Sequence, residues 1–378
     1  MRSGFDSSSK TDGFAITSIF RCSLLFLLCA LALPASPCVG AEGANRGVWC
    51  WATPAPYGLN SIVGNNEAQS ATLAQFKSWG ISHVYGYYGS QLQTLPGQAT
   101  LAAWNTILDN NGIESQLLVS DNTLGTGDNN IILEMITFNE QQPPAARFKA
   151  VHLDLEPWGL PSWPTDSKYN DLVNLAGEYQ QVRSELDTHG ESNVLIYADL
   201  ADWLDTTTIN WPSTTVRDQW FSGILTNLAG FTLMAYDEST YSQLVNVCSW
   251  ELVSHPGVVR IGIDAGQGQT WSNLKGFVSV AQQLESNVTQ LAGVDIYDFQ
   301  TFEEIAPPLL EASAAAPLTT NGFNLMLQGP IGSNYIIQAS GDLLNWQNFT
   351  NFSSTDWLTY FSDATAIYHP YRFYRVTN

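Results

Sequence analysis

Between about Arg46 and Glu311 the chain alternates short apolar runs with longer amphipathic stretches eight times over. No other feature restricts its fold so tightly. The apolar runs are Gly47–Ala52, Ser82–Tyr88, Glu114–Ser120, Lys149–Glu156, Asn193–Ala198, Phe231–Tyr236, Val258–Asp264 and Val294–Phe299. Stretches such as Thr72–Trp79, Leu101–Leu108, Tyr169–Thr188 and Leu274–Leu291 place apolar residues three and four apart, the spacing of one helix face. Alternating strand and helix calls for a parallel sheet, and eight units favour closure into a (β/α)8 TIM barrel over an open doubly wound sheet. The first strand also lacks the Gly-rich phosphate loop of a dinucleotide fold. Such a barrel takes roughly 250 residues. The 378-residue chain holds one barrel and something small besides. Gly80, Gly112, Gly230, Gly257 and Gly293 stand just ahead of strands, where a helix C-terminus is expected to need a left-handed residue.

The composition shifts after the last unit. Ala312–Pro317 reads as a small-residue linker. Beyond it Phe323–Leu327, Tyr335–Ala339, Leu358–Phe361 and Arg372–Val376 read as short strands, which makes residues 318–378 a small all-β, sandwich-like module. The runs Tyr335–Ser340, Asp342-Leu343, Trp346 and Phe373–Val376 resemble a C-terminal β module carried by many secreted bacterial proteins, a resemblance that implies no particular role. At the other end Arg2, Lys10 and Arg21 precede an apolar run from Cys22 to Leu33, and Val39-Gly40-Ala41 offers a small-residue cleavage site. Residues 1–41 are therefore expected to be a signal peptide, with the barrel occupying 42–311 and the protein secreted, extracellular or periplasmic. The apolar run is too short to span a bilayer, so no stable membrane insertion is expected after cleavage. Cys50 and Cys248 would remain; they could pair in an oxidising compartment, but they fall at separate points of the expected barrel and are read as buried free thiols, and neither has the spacing of a zinc site. No metal or other cofactor is called for.

Charge narrows the partners. Asp and Glu number 35 against 14 Lys and Arg, which argues against nucleic acid and anionic membrane surfaces. A polysaccharide or other glycan is compatible with this balance. The 13 Trp suit a saccharide cleft, since sugar rings stack their C–H faces on indoles.

The fourth strand carries the chemistry. In Phe148-Lys149-Ala150-Val151-His152-Leu153-Asp154-Leu155-Glu156-Pro157-Trp158, alternation puts Val151, Leu153 and Leu155 on one face. His152, Asp154 and Glu156 share the other, expected to point into the barrel. Glu156 falls at the C-terminal rim, where active sites of this architecture lie. Two carboxyls about 7 Å apart on one buried face disfavour each other's charge, so one should stay protonated, as a general acid requires. Asp199 and Asp264 each close a strand at the same rim, either as site residues or as loop caps. Trp51, Trp158, Tyr197 and Tyr297 are aromatics placed to line a sugar site.

This strand resembles the signature strand of family 18 glycoside hydrolases, the chitinases and endo-β-N-acetylglucosaminidases. Phe148 matches the family's aromatic, Asp154 its last Asp and Glu156 its acid. Met234-Ala235-Tyr236-Asp237 on the sixth strand is similar to that family's Met-x-Tyr-Asp, whose Tyr and Asp contact the sugar where cleavage occurs. Lys149 stands in place of the first Asp, Ala150 of the Gly and His152 of the middle Asp. Tyr297 is the nearest aromatic to the family's Trp on the eighth strand. The resemblance implies a substrate-assisted, retaining hydrolysis. Glu156 protonates the leaving oxygen, Asp154 orients the 2-acetamido group that attacks the anomeric carbon, and Tyr236 donates to that group's oxygen. Two other readings stay open. One is a two-carboxylate glycosidase acting on plain glucans, with Asp264 as second carboxylate; the other is a non-catalytic glycan-binding barrel.

Overall fold

The computed structural model describes residues 45–163, 168–266, 274–305, 308–313, 318–319, 322–329, 333–355 and 358–377. The expected signal peptide and most of the expected linker lie outside the described residues. Eight strands form a closed parallel barrel in chain order. They are β1 (Arg46–Cys50), β2 (Ile81–Gly86), β3 (Glu114–Asp121), β4 (Ala150–Leu155), β5 (Leu195–Ala201), β6 (Gly230–Met234), β7 (Val259–Asp264) and β8 (Leu291–Tyr297), with β8 pairing back onto β1. Crossover helices begin where a side chain can take up free N–H groups. Asn65 caps Asn66–Ser78, Thr94 caps Leu95–Asp109 and Ser213 caps Thr214–Ile224. No helix among the described residues is long and apolar enough to cross a membrane. Cys50 and Cys248 are free and buried.

Two sequence readings need correcting. Gly80, Gly112 and Gly257 do adopt positive φ before their strands, but Gly230 and Gly293 lie within β6 and β8. There the requirement is close approach: a Cβ at Gly293 would fall 2.3 Å from the Asn45 carbonyl oxygen and 2.5 Å from the Arg260 guanidinium. Secondly, β5 runs on to Ala201, so Asp199 sits inside a strand instead of closing it.

The N-terminal end of the barrel is closed by paired charge. Arg260 on β7 reaches Asp295 on β8 at 2.6 Å. Asp295 also accepts from the Gly47 N–H at 2.9 Å, Tyr85 Oη at 2.9 Å and Thr232 Oγ1 at 2.8 Å. Arg46 bonds Glu285 at 2.6 Å and the Trp79 carbonyl at 2.8 Å.

Residues Ala306–Asn378 belong to a second compact unit. One antiparallel sheet joins β9 (Leu309–Ala312), β10 (Leu318–Thr319), β11 (Gly322–Gln328) and β14 (Leu358–Asp363). The other joins β12 (Asn334–Ser340), β13 (Gln347–Ser353) and β15 (Phe373–Thr377). Leu310, Leu325, Tyr335, Ile337 and Tyr374 fill the core of this unit. β9 pairs with β11, so the small unit begins ahead of the boundary at Glu311 read from the sequence, and Ala312 ends a strand instead of opening a linker. β9 escapes sequence reading because its partner is supplied only by the folded sheet.

Candidate active site

Alternation along β4 places its polar residues as expected. His152 is fully buried and Asp154 only 6% exposed. Glu156 follows the last strand residue; its N–H donates to the Asp121 carbonyl at 2.8 Å, which carries the β3 pairing one residue further. Pro157 then starts a 3-10 turn that brings Trp158 back over the acid, its Nε1 donating to Glu156 Oε2 at 3.0 Å. Glu156 and Trp158 are half-buried at the mouth.

Asp154 accepts from Ser120 Oγ through Oδ2 at 2.9 Å, while its buried Oδ1 has no partner among the described residues. Burial first, then the charges of Asp199 and Glu156, holds the Asp154 carboxyl well above the usual carboxylate range. Of the two carboxyls on this strand face, Asp154 is the one whose surroundings favour the neutral form, through burial and Asp199 more than through its spacing from Glu156.

His152 and Asp199 form a fully buried pair, His152 Nε2 to Asp199 Oδ1 at 2.7 Å. Gln116 fixes the role of the other ring nitrogen. The amide Nε2 of Gln116 donates to Glu114 at 2.7 Å, which turns its Oε1 toward His152 Nδ1 at 3.0 Å. Nδ1 must therefore donate, and where the ring is neutral Nε2 can only accept, with the shared proton on Asp199. The electrostatics favour that neutral ring. Burial pushes His152 down to about 4, and burial raises the Asp199 carboxyl against the opposing hydrogen bond from Trp49 Nε1. The pair adds no net charge beside Asp154.

Trp49, 1% exposed, organises the centre. Its ring meets Tyr85, His152, Tyr236 and Tyr297 edge-on, at centroid separations of 5.1, 5.8, 6.4 and 5.8 Å. Tyr236 stacks on Tyr297 at 4.7 Å. The buried Tyr236 Oη has no hydrogen-bond partner among the described residues. Trp51 lies 6.3 Å from Tyr297 at the rim, and Asp237, just past β6, is exposed. Asp264 ends β7 and accepts from the Gly266 N–H at 2.6 Å.

The fold thus brings Asp154, Glu156, Trp158, Tyr236, Tyr297 and Trp51 to one end of the barrel. Tyr197 is not with them: it stacks below His152 at 6.5 Å and feels Arg260 and Asp295 at the closed end. Sequence reasoning passed over Trp49, Gln116 and Ser120. Trp49 shares a strand face with Trp51, a period-two signal that could have found it. No metal-binding group of three or more His, Cys, Asp or Glu occurs among the described residues.

No protein-family model and no curated sequence matches the chain. Among solved structures it is similar to an endo-β-1,4-mannanase double mutant of Cellulomonas fimi, at 10% identity over 86% of this chain and 90% of that one, with a TM-score of 0.42. A chitinase from Chromobacterium violaceum aligns at 11% identity over 68% and 96%, TM-score 0.41. A family 18 chitinase mutant from Cycas revoluta, in complex with (GlcNAc)4, aligns at 11% over 68% and 96%, TM-score 0.40.

Proposed function

We propose that this chain is a secreted glycoside hydrolase acting on N-acetylglucosamine-containing glycans by a substrate-assisted, retaining mechanism. One observation carries the reading: Asp154 Oδ1, two residues before Glu156 on the same strand, and Tyr236 Oη, two residues past the end of β6, are buried with no protein partner among the described residues. An acetamido group offers what these two lack. Its N–H donates to Asp154 and its carbonyl accepts from Tyr236. Held so, the carbonyl oxygen attacks the anomeric carbon as the glycosidic C–O bond breaks, and Glu156 gives its proton to the leaving oxygen. Water then opens the oxazoline-like intermediate and returns a proton to Glu156. Tyr297 supports the sugar as its floor, with Trp51 and Asp237 at the margins. His152 and Asp199, fully buried, hold the shape and neutrality of the site behind Asp154.

The test is hydrolysis of N-acetylglucosamine oligomers beside plain glucans. Glu156→Gln should lower the rate on the order of 10²–10⁴-fold. Tyr236→Phe should lower it roughly 10²–10³-fold, for loss of one donor to a developing charge. Asp264→Asn should change little. Efficient hydrolysis of plain glucans, with a nearly dead Asp264→Asn, would sink this mechanism in favour of the two-carboxylate scheme. Binding without any hydrolysis would favour a non-catalytic barrel. Export is tested by mass spectrometry of the released protein, whose N-terminus is expected near Glu42; a mature chain starting at Met1 contradicts it.

A further inference from the structure

An acid that stands just past the end of a strand has lost the strand's hold on its side chain. Glu156 is placed so: β4 ends at Leu155, and the carboxyl is half-buried at the mouth. A glutamate side chain carries rotamer freedom worth up to about 1.5–2 kcal/mol, and moving a reacting group by about 1 Å can cost on the order of 10²-fold in rate. Among the described residues the carboxyl makes one hydrogen bond, from Trp158 Nε1 to Oε2 at 3.0 Å.

That indole is itself held. Pro157, with its fixed φ, opens the 3-10 turn Pro157–Gly159. The Gly159 N–H donates to the Glu156 carbonyl at 2.9 Å and the Leu160 N–H to the Pro157 carbonyl at 3.0 Å. A further turn closes from the Trp163 N–H to the Leu160 carbonyl at 3.0 Å. Only a glycine lets the first turn lie against the end of β3, since a Cβ at Gly159 would fall 2.1 Å from Asn122 Oδ1. The turns set Trp163, 7% exposed, edge-on against Trp158 with centroids 6.2 Å apart. Trp203, just past β5, completes the group at 5.7 Å from Trp158 and 6.0 Å from Trp163. Three indoles from the loops after β4 and β5 thus fix the direction of one N–H.

That direction also sorts the two oxygens of the acid. An indole N–H only donates, and a protonated carboxyl has one O–H donor and a carbonyl oxygen that accepts. With Oε2 taken by the indole, the proton of Glu156 is favoured on Oε1, which bonds no described residue. We propose that Trp158, clamped by Trp163 and Trp203, is a positioning residue for the general acid: its N–H holds the Glu156 carboxyl so that Oε1 carries the proton given to the leaving oxygen. This rests on the hydrolase reading above and gives Trp158 a role other than sugar stacking.

The experiment compares leaving groups. Trp158→Phe keeps a ring in the cluster and removes the donor. On N-acetylglucosamine oligomers, whose leaving sugar needs a proton, kcat should fall roughly 10–100-fold with KM changed by less than about threefold. On a 2,4-dinitrophenyl N-acetylchitooligosaccharide, whose leaving group departs unprotonated, the loss in kcat should stay below about threefold. Glu156→Gln/Trp158→Phe should be no slower than Glu156→Gln, because Trp158 acts through the acid. Trp203→Leu, at a half-exposed residue, should give a weaker form of the same pattern and guards against poor packing of the first variant. Equal losses on both substrates, a raised KM with kcat intact, or additive losses in the double variant would overturn the proposal and leave Trp158 as packing or as a sugar platform. The bond is also read without turnover, from indole N–H resonances of protein labelled with 15N-tryptophan. The signal that vanishes in Trp158→Phe should move upfield in Glu156→Gln, and a signal that stays in place would overturn the hold on the acid. A shift with no cleavage of any glycan by the unmodified protein removes the hydrolase reading and leaves the hold standing; cleavage without a shift does the reverse.

Discussion

The two ends of the barrel bury the same kind of group in opposite ways. At the closed end Asp295 lies among five donors from Gly47, Tyr85, Thr232 and Arg260. Burial alone would raise its carboxyl, yet the Arg260 guanidinium and these hydrogen bonds outweigh that and hold it below its ordinary value. At the mouth Asp154 keeps one oxygen unmet and Tyr236 its hydroxyl, and nearby negative charge adds to burial. A buried polar group without a partner costs about 1–3 kcal/mol. The chain meets that demand internally at the closed end and leaves it unmet at the mouth.

The sharpest way to break this contrast is Arg260→Met. It strands Asp295 as an unpaired buried charge and should lower stability by about 3–5 kcal/mol, read as a shift in urea midpoint. A loss below ~1 kcal/mol would mean the closed end is not held by this pair.

The His152–Asp199 pair gives the next largest effect, as a pH dependence. The ordinary value of His152 is 6.5 and its folded value about 4, so its contribution is present above 6.5 and lost as pH falls toward 4. Asp199 is raised from 3.8, so its contribution is present below 3.8 and lost as pH rises. Between about 4 and 6.5 the folded pair holds one proton on Asp199, the unfolded chain one on His152, and the two trends cancel. Asp199→Asn uncovers the His152 trend. Relative to the parent protein its stability should fall as pH drops from 6.5 to 4, by on the order of 1–3 kcal/mol. Parallel stability–pH curves for the two proteins would refute the assigned proton.

Tyr236→Phe tests the open end. Removing an unpartnered hydroxyl should leave stability unchanged or improve it by up to ~1 kcal/mol, however strongly it lowers the rate. A stability loss above ~2 kcal/mol would reveal a partner. The smallest effect should come from ending the chain at Ile305. The pairs that close the barrel floor all lie before that point, so its melting temperature should stay within the roughly 2–4 °C that 1 kcal/mol represents. Aggregation of the shortened chain would make the small unit part of the barrel's stability.

Much of this architecture was legible because it follows from local periodicity. All eight barrel strands fall where apolar runs interrupt helical spacing, and period two on β4 sorts His152, Asp154 and Glu156 onto the inner face. β13 (Gln347–Ser353) was not legible, since its polar Gln-Asn-Phe-Thr-Asn run becomes a strand only through pairing with β12. The mouth carboxylates were found because two acids on one buried face need a chemical reason. The roles of Gln116, Trp49 and Ser120 were not, because ordinary polar and aromatic side chains look the same in a core as in a site.

By itself, then, the sequence determined the strand–helix order, the closed parallel sheet, the inward face of β4 and the acid at its rim, all properties of neighbours along the chain. Only the tertiary structure decided that Asp199 belongs to His152 across 47 residues, that Tyr197 turns to the closed end, and that Gly293 is bare to admit Arg260. Those outcomes depend on how the register of adjacent strands accumulates around the barrel. That register is set by the closure of all eight strands together, and no local pattern contains it.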